Sequence, residues 1–538
     1  MRIKDEKTLM LSEKCNRYIT YTGNENLENM INYLLSEALK EDVPYLEPIE
    51  LSWDGIYYPD SNLNVDDVEE FFKLKGKSEK GVVGLITSRS YVLNGNDLPE
   101  RQIIKEIEKL GFTVIPVYSY SIRNDEIGAK GLGYSVEKFF FDKKGNPVVD
   151  FVIKLSSFFF ENVGDKNGDE AFKLLKRLNC PIMKPVVSSY LTVEEWEESK
   201  QGLTADIPWS VALPEFEGLI EPIIIGTVKR EDGYEYRKPV QDRIEKLAKR
   251  IVKWISIKKK VNSDKKAVIV LNNSPCESAE ANVGAASNLD TMQSVVNIMN
   301  HLKENGYAVE DIPEDGKALI KKIMEHKAIS EFRWTTAKEI VEKGGALDLI
   351  SEDEYLKWFA ELPEDSANKV IKAWGSGVGE CIDNVTPSMI YEGKIVISGL
   401  KFGNILLCTQ PKRGCAGAKC NGAVCKILHD PSIPPTHQYI ATYKYFEKKY
   451  KADVILHMGT HGNLEFLPGK GIGLSSSCFP DICAGDMPFI YIYNSDNPPE
   501  GTTAKRRGYA TIVDHMQTAM TESGIYKDLE KLEKKLGE

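Results

Sequence analysis

The hydrophobic positions fall into short unbroken runs separated by amphipathic stretches, the alternation expected of parallel sheets covered by helices. Gly81 to Thr87 (GVVGLIT) predicts a buried strand, Leu98 to Leu110 a helix and Phe112 to Val117 a second strand, together a βαβ unit. Phe151 to Leu155 and Pro181 to Pro185 read as two more strands, with a helix over Ala171 to Leu178 between them. Gln241 to Ile257 sets Ile244, Leu247, Ala248, Ile251 and Trp254 on one helical face. A basic linker, Lys258 to Lys266, leads into a strand over Ala267 to Leu271, then a turn-rich stretch (NNSPCESAEANVGAASNLDT) and a helix over Asp290 to Asn305. Residues 310–380 are charged and mainly helical in pattern. Asn404 to Thr409 is a strand, Pro435 to Tyr450 a helix, and Val454 to His457 a strand. The expected fold class is α/β, with several open parallel-sheet (Rossmann-like) domains and helical insertions. The boundaries read as an incomplete N-terminal segment over 1–50, an α/β domain over 51–235, a second with a helical insertion over 236–394, and a site-bearing domain over 395–538, itself incomplete at its C-terminal end.

Composition narrows the class. The 538 residues are 42% hydrophobic and 28% charged, ordinary for a globular protein. No run approaches the roughly 20 apolar residues of a membrane span, and the charged N-terminus has no apolar signal core, so a cytoplasmic location is expected. A formal charge of -11 argues against nucleic-acid binding. Ten cysteines without a secretion signal read as reduced thiols or metal ligands. No G-x-x-x-x-G-K-[ST] run occurs, so any ATP chemistry belongs to another polypeptide.

The chemistry concentrates near the C-terminal end, where five of the seven histidines lie between His429 and His515. In ADVILHMGTHGNLEFLPGK, His457, His461 and Glu465 follow one another at steps of four, among glycines. The preceding apolar run and the glycines predict a strand and a tight loop, which is where α/β folds place their sites. Imidazole with carboxylate suits borderline divalent metals; the alternative is a pair of hydrogen-bonding histidines in a polar loop. Cys415, Cys420 and Cys425, spaced C-x4-C-x4-C with His429 beyond, form a possible second metal or Fe–S site; the alternative is three buried apolar cysteines. Lys505, Arg506 and Arg507 suit carboxylate recognition, against the alternative of a solvated helix start. His437, near a helix start, is either a site wall or an ordinary neighbour of the cap.

Taken in order, these segments resemble the large subunit of the multi-subunit tetrapyrrole metal chelatases, the cobaltochelatase (CobN) and magnesium chelatase H family. The most specific block runs from His457 to His515 (HMGTHGNLEFLPGKG … EGTTAKRRGYATIVDH). FGNILLCTQPKRG at 402–414, HDPSIPPTHQYIATYKYF at 429–446, GLITSRSYVLNGN at 84–96, ALPEFEG at 212–218 and the NNSP…NLDT segment at 272–291 resemble further family blocks. Family members are much longer, so the chain reads as a truncated member, and the family commonly has Trp where Phe466 stands.

The resemblance implies a tetrapyrrole-binding subunit of an ATP-dependent chelatase, a ligase forming nitrogen–metal bonds in cobalamin biosynthesis. It would insert Co2+ into a corrinoid precursor of the hydrogenobyrinic acid diamide kind. EGTTAKRRGYATIVDH and LPGKGIGLSSSC lie closer to the cobalt branch, and IYIYNSDNP leans to the magnesium branch, so insertion of Mg2+ into a porphyrin is the alternative. The divalent metal is a substrate, and AAA+ partner subunits hydrolyse the ATP. A separate chain that completes the large subunit is a further expected partner. Within this reading Glu465, His461 and His457 are catalytic and hold the metal, while Lys505, Arg506, Arg507 and His437 bind the macrocycle. Two rivals remain: a non-catalytic tetrapyrrole or metal-binding protein, and an Fe–S protein built on the three cysteines.

Overall fold

The computed structural model describes residues 6–59, 64–160, 169–273, 283–286, 289–332, 335–380, 387–414, 432–459, 462–493 and 498–514, with 532 and 535–536. Two six-stranded sheets organise these residues. The first holds four parallel strands: β1 (Val82–Ser88), β2 (Thr113–Ser119), β3 (Phe151–Lys154) and β4 (Ile182–Met183). Their order in the sheet is β2-β1-β3-β4, and an antiparallel pair, Asp54–Tyr57 and Asn64–Val65, extends the β2 edge. Helix α1 (Leu98–Lys109) is the crossover between β1 and β2 and buries Ile103, Ile104 and Ile107. The expected βαβ unit is therefore present, with ends shifted by one or two residues.

Helix α2 (Gln241–Lys259) joins the two sheets. Its Ile244, Leu247, Ala248, Ile251 and Ile255 are buried, and they enter one continuous apolar cluster with Val83 and Leu85 of β1 and with Val268 and Val270 of the second sheet. Charged residues of α2 reach across as well. Arg243 contacts Asp481 at 3.1 Å, and Arg250 holds Glu221 through two nitrogens at 2.5 and 2.9 Å.

The second sheet starts with β5 (Ala267–Leu271), matching the expected strand residue for residue, and helix α3 (Thr291–Glu304) follows it. Then come β6 (Leu400–Phe402), β7 (Ile405–Thr409), β8 (Val454–Met458), β9 (Phe489–Ile492) and β10 (Ala510–Val513). Helix α4 (His437–Lys444) precedes β8 and helix α5 (Pro498–Gly508) precedes β10. The parallel strands lie in the order β7-β5-β8-β9-β10, with β6 antiparallel on the outside. The chain thus runs outward in both directions from β5, as in doubly wound folds of order 2-1-3-4-5.

This topology refines three expectations. The strand at 267–271 lies between 405–409 and 454–458, so a boundary near residue 394 cuts through one sheet. The stretch 310–380 does contain helices, including Gly316–His326, Glu352–Phe359 and Glu364–Trp374, but it also contributes the strand Ala346–Ile350. That strand pairs antiparallel with Lys394–Ser398 in a separate three-stranded sheet. Nor is Pro435 to Tyr450 one regular helix: α4 gives way to a π-helical turn over Tyr445–Lys449.

Candidate functional site

In a sheet of this order, ligands bind where strand order reverses, outside the carboxyl ends of the strands. Here that point lies between β5 and β8. Asn272 follows β5 and Gly459 follows β8, and the Asn272 N–H donates to the Met458 carbonyl at 3.1 Å. Gly459 has φ +129°, and a Cβ there would meet the Asn272 side chain at 2.7 Å, so glycine is required on both counts.

His457 is the fourth residue of β8. Alternation along the strand turns it to the same face as Ile455, away from the α3 side. It is fully buried, its ring centroid 4.5 Å from that of Phe489 and 5.5 Å from that of Tyr491. Its Nε2 lies 3.2 Å from the Tyr443 hydroxyl of α4. Burial without a charged partner pushes the imidazole down to about 3, so it is neutral at physiological pH. Glu465 sits in a single 3-10 turn, Leu464–Phe466, and is also fully buried. Its Oε1 accepts the Gly462 N–H at 2.9 Å. The negative charge of Glu465 adds to burial in raising the Tyr491, Tyr439 and Tyr443 hydroxyls far above their ordinary range.

Beyond the turn, Phe466 is 37% exposed and forms one wall of a groove of about 800 Å³. The other walls are Thr502, Thr503, Arg506 and Arg507 of α5 and the segment carrying Leu203, Thr204 and Ile207. Such a volume lies within the ordinary range of small-molecule sites, about 300–1,000 Å³. Arg507 lines the groove and also donates to the carbonyls of Leu467, at 2.7 Å, and Lys470, at 3.0 Å. It thereby clamps the loop that leaves Glu465. Burial depresses the Arg507 guanidinium, while the nearby Cys478 and Glu465 favour its charge.

The family model for CobN/magnesium chelatase matches residues 16–538. The chain belongs to that family. Among chelatase relatives, it is 30% identical to the chloroplastic magnesium-chelatase subunit ChlH of Oryza sativa over 94% of its own length and 35% of that protein's. It is 27% identical to the aerobic cobaltochelatase subunit CobN of Pseudomonas aeruginosa, over 97% of this chain and 39% of that one. An uncharacterized protein of Methanocaldococcus jannaschii is 49% identical over 97% of this chain and 42% of its own length. Among solved structures, the catalytic subunit of cobaltochelatase from Mycobacterium tuberculosis superposes with a TM-score of 0.70 at 26% identity, covering 98% of this chain and 41% of that one. The chain therefore spans about two fifths of the length of these relatives.

Within this chain, the sequence candidates do not all meet at one place. His457 and Glu465 lie on the same strand and its following loop, while His461, Cys415, Cys420, Cys425 and His429 fall outside the described residues. Among the described residues no three His, Cys, Asp or Glu side chains gather around one point. Lys505, Arg506 and Arg507 stand in the last turn of α5 and not at a helix start; there they complement the negative end of the helix dipole. Arg506 makes a two-nitrogen contact with Glu215, at 2.9 and 3.2 Å, and Lys505 approaches the same carboxylate at 3.7 Å. His437 opens α4 with both ring nitrogens engaged, Nδ1 with the Tyr355 hydroxyl at 2.8 Å and Nε2 with the Gly375 carbonyl at 2.9 Å. Burial lowers its pKa, and its contacts make it an anchor between α4 and the helical insertion.

Sequence reasoning passed over Gln410, Lys412 and Arg413, which follow β7 and are all buried, and Tyr439 and Tyr443 of α4. All lie inside blocks that carried the family resemblance. The available signal was position: polar residues immediately after a buried parallel strand belong to the carboxyl edge of the sheet.

Proposed function

We propose that the chain is the tetrapyrrole-binding core of the large subunit of an ATP-dependent metal chelatase, inserting Co2+ into a corrinoid precursor of the hydrogenobyrinic acid diamide kind. AAA+ partner subunits hydrolyse the ATP. The observation that carries this reading is the groove itself: an aromatic wall at Phe466 and guanidinium groups at Arg506 and Arg507, with the fully buried carboxylate of Glu465 in the turn behind the wall.

The chemistry fits these residues. Inserting M2+ releases two pyrrole N–H protons and strips water from the metal. Glu465 supplies a carboxylate to take a proton or touch the metal, and His461 adds a borderline-metal ligand. His457 is neutral and so free of charge repulsion toward a cation. Arg506 meets a substrate carboxylate in two-nitrogen geometry by exchanging its Glu215 partner, and Arg507, whose Nε and one terminal nitrogen hold the loop carbonyls, adds its remaining nitrogen and its charge. Lys505 sits on the same carboxylate and adds charge to that rim.

The identity to the rice magnesium-chelatase subunit supports a second reading, in which Mg2+ enters a porphyrin. Parallel insertion assays with Co2+ and a metal-free corrinoid, and with Mg2+ and protoporphyrin, separate the two. The decisive variant is Glu465→Gln, which keeps the acceptor for the Gly462 N–H but cannot take a proton. With ATPase partners present, insertion is expected to fall by roughly 10²–10⁴-fold while tetrapyrrole binding, followed by fluorescence quenching, is retained. Unchanged turnover removes Glu465 from the mechanism. Tetrapyrrole binding by the unaltered chain with no insertion of either metal would favour a non-catalytic carrier.

A further inference from the structure

Among the described residues, the groove is walled by Arg506 and Arg507 and by no carboxylate. The three cations in the last turn of α5 are unequally placed around it. Arg507 holds the neutral carbonyls of Leu467 and Lys470. Arg506 and Lys505 converge on one carboxylate, that of Glu215: Arg506 through Nε at 3.2 Å and a terminal nitrogen at 2.9 Å, Lys505 at 3.7 Å. Two cations on one anion leave a positive surplus at this rim. The Glu215 and Arg506 side chains are only 13% and 22% exposed, so water and salt screen the pair incompletely.

Other contacts already hold the segment that carries Glu215. It belongs to the short helix Leu213–Phe216, whose Pro214 is buried. Two residues on, Glu217 accepts from the buried Lys154 at 2.5 Å and from the Phe160 N–H at 2.7 Å. Upstream, Trp196 Nε1 donates to the Gly473 carbonyl at 2.7 Å, and Lys470 Nζ donates to the Glu197 carbonyl at 2.8 Å. The segment and α5 therefore keep their places with Glu215 released from Arg506, and the carboxylate is available for exchange. Only another anion makes that exchange well. An amide or ester carbonyl offers one neutral oxygen against two charged ones, and charge-assisted hydrogen bonds are roughly twice as strong as neutral ones.

We propose that Glu215 is a specificity-determining residue: it competes with macrocycle carboxylates for Arg506, and so makes a free carboxylate, and not its amide or ester, the group that this rim of the groove accepts. This rests on the reading of the groove as the tetrapyrrole site.

The test is fluorescence titration of the full chain, without metal or partners, with protoporphyrin and with its dimethyl ester, which has no ionisable carboxyl. Glu215→Gln keeps an oxygen for Arg506 but removes the competing charge. It is expected to tighten protoporphyrin binding by roughly two- to fivefold, the span of a partly exposed ion pair, and to leave the ester unchanged. In an Arg506→Gln background the same change should bring no gain, which separates exchange at Arg506 from a general rise in positive field. Weaker or unchanged protoporphyrin binding by Glu215→Gln overturns the proposal, since a residue that merely positioned Arg506 would not raise affinity when its charge is removed. Equal tightening of the ester overturns it as well. Glu215→Ala, the second variant, should also tighten protoporphyrin binding; unfolding of both variants would show the pair to be structural and overturn the proposal. If the unaltered chain binds neither macrocycle, the reading of the groove falls and this inference with it. If it binds protoporphyrin and the gain is absent, only this inference falls.

Discussion

Removing the carboxylate of Glu221 should separate the two halves of the molecule energetically. Glu221 and Arg250 are both fully buried, and the pair joins the first sheet, α2 and the second sheet at one point. Besides its two bonds to Glu221, Arg250 donates to the Gly485 carbonyl at 3.0 Å, and Trp254 Nε1 donates to Glu221 at 2.7 Å. Glu221→Ala leaves a guanidinium in the interior with one carbonyl for company, a loss of about 3–5 kcal/mol, and the stranded indole N–H adds roughly 1 kcal/mol. Glu221 also sits at φ +54°, a left-handed conformation costing about 1–2 kcal/mol for a non-glycine residue. Glu221→Gly recovers that part and should be the milder variant by about that amount. Replacing both partners, Glu221→Leu with Arg250→Met, removes the stranded charge as well and should cost clearly less than either single change. Urea unfolding followed by Trp254 and Trp196 fluorescence gives the midpoints of these variants and of Glu221→Leu and Arg250→Met alone. A Glu221→Ala loss under about 1 kcal/mol, or a double variant whose loss is the sum of the singles, would refute the argument.

Lys184 gives a pH signature. Its amine is buried, donates to the Leu155 and Pro185 carbonyls, and is pushed by burial down to about 7, with the neighbouring Lys154 charge acting in the same direction. Between pH 7 and about 10.4, the ordinary lysine value, the unfolded chain holds a proton there that the folded chain does not. Stability should therefore rise with pH by up to about 1.4 kcal/mol per unit across that window, and Lys184→Met should flatten the rise; denaturant midpoints taken from pH 7 to 10 check it. At the groove, Phe466→Ala removes an aromatic wall and should weaken tetrapyrrole binding by about tenfold, read by fluorescence titration, while Phe466→Trp should hold or strengthen it. An Ala variant that binds as the wild type does would move the macrocycle elsewhere.

The elements were legible because each is encoded by its own residues. AVIVL at 267–271 is a buried parallel strand in any context, and LPERQIIKEIEK carries its apolar stripe within three turns. ALDLI at 346–350 was passed over because it is five residues long, only its last fully buried, and flanked by helices. Strand order was not legible at all. Nothing local in AVIVL says that a strand some 140 residues later will lie on one side and another nearly 190 later on the other.

The same distance problem governs the site. Position after a strand, glycine spacing and residue type are properties of a short segment, and they sufficed to select His457 and Glu465. What those residues can do depends on partners that no segment contains. Arg506 reads as an open cation in TTAKRRG, yet its carboxylate partner is Glu215, 291 residues away. Gln410 reads as an ordinary polar residue in CTQPKRG, yet it touches Asn463 at a separation of 53 and Tyr443 at 33. His457 shows the consequence most clearly. In sequence it is the first member of a ligand triad; in the fold its Nε2 belongs to Tyr443, and its ring is enclosed by Phe489 and Tyr491. Residue type places a histidine on the list of possible metal ligands, and the hydrogen bonds made by its nitrogens decide whether it remains there.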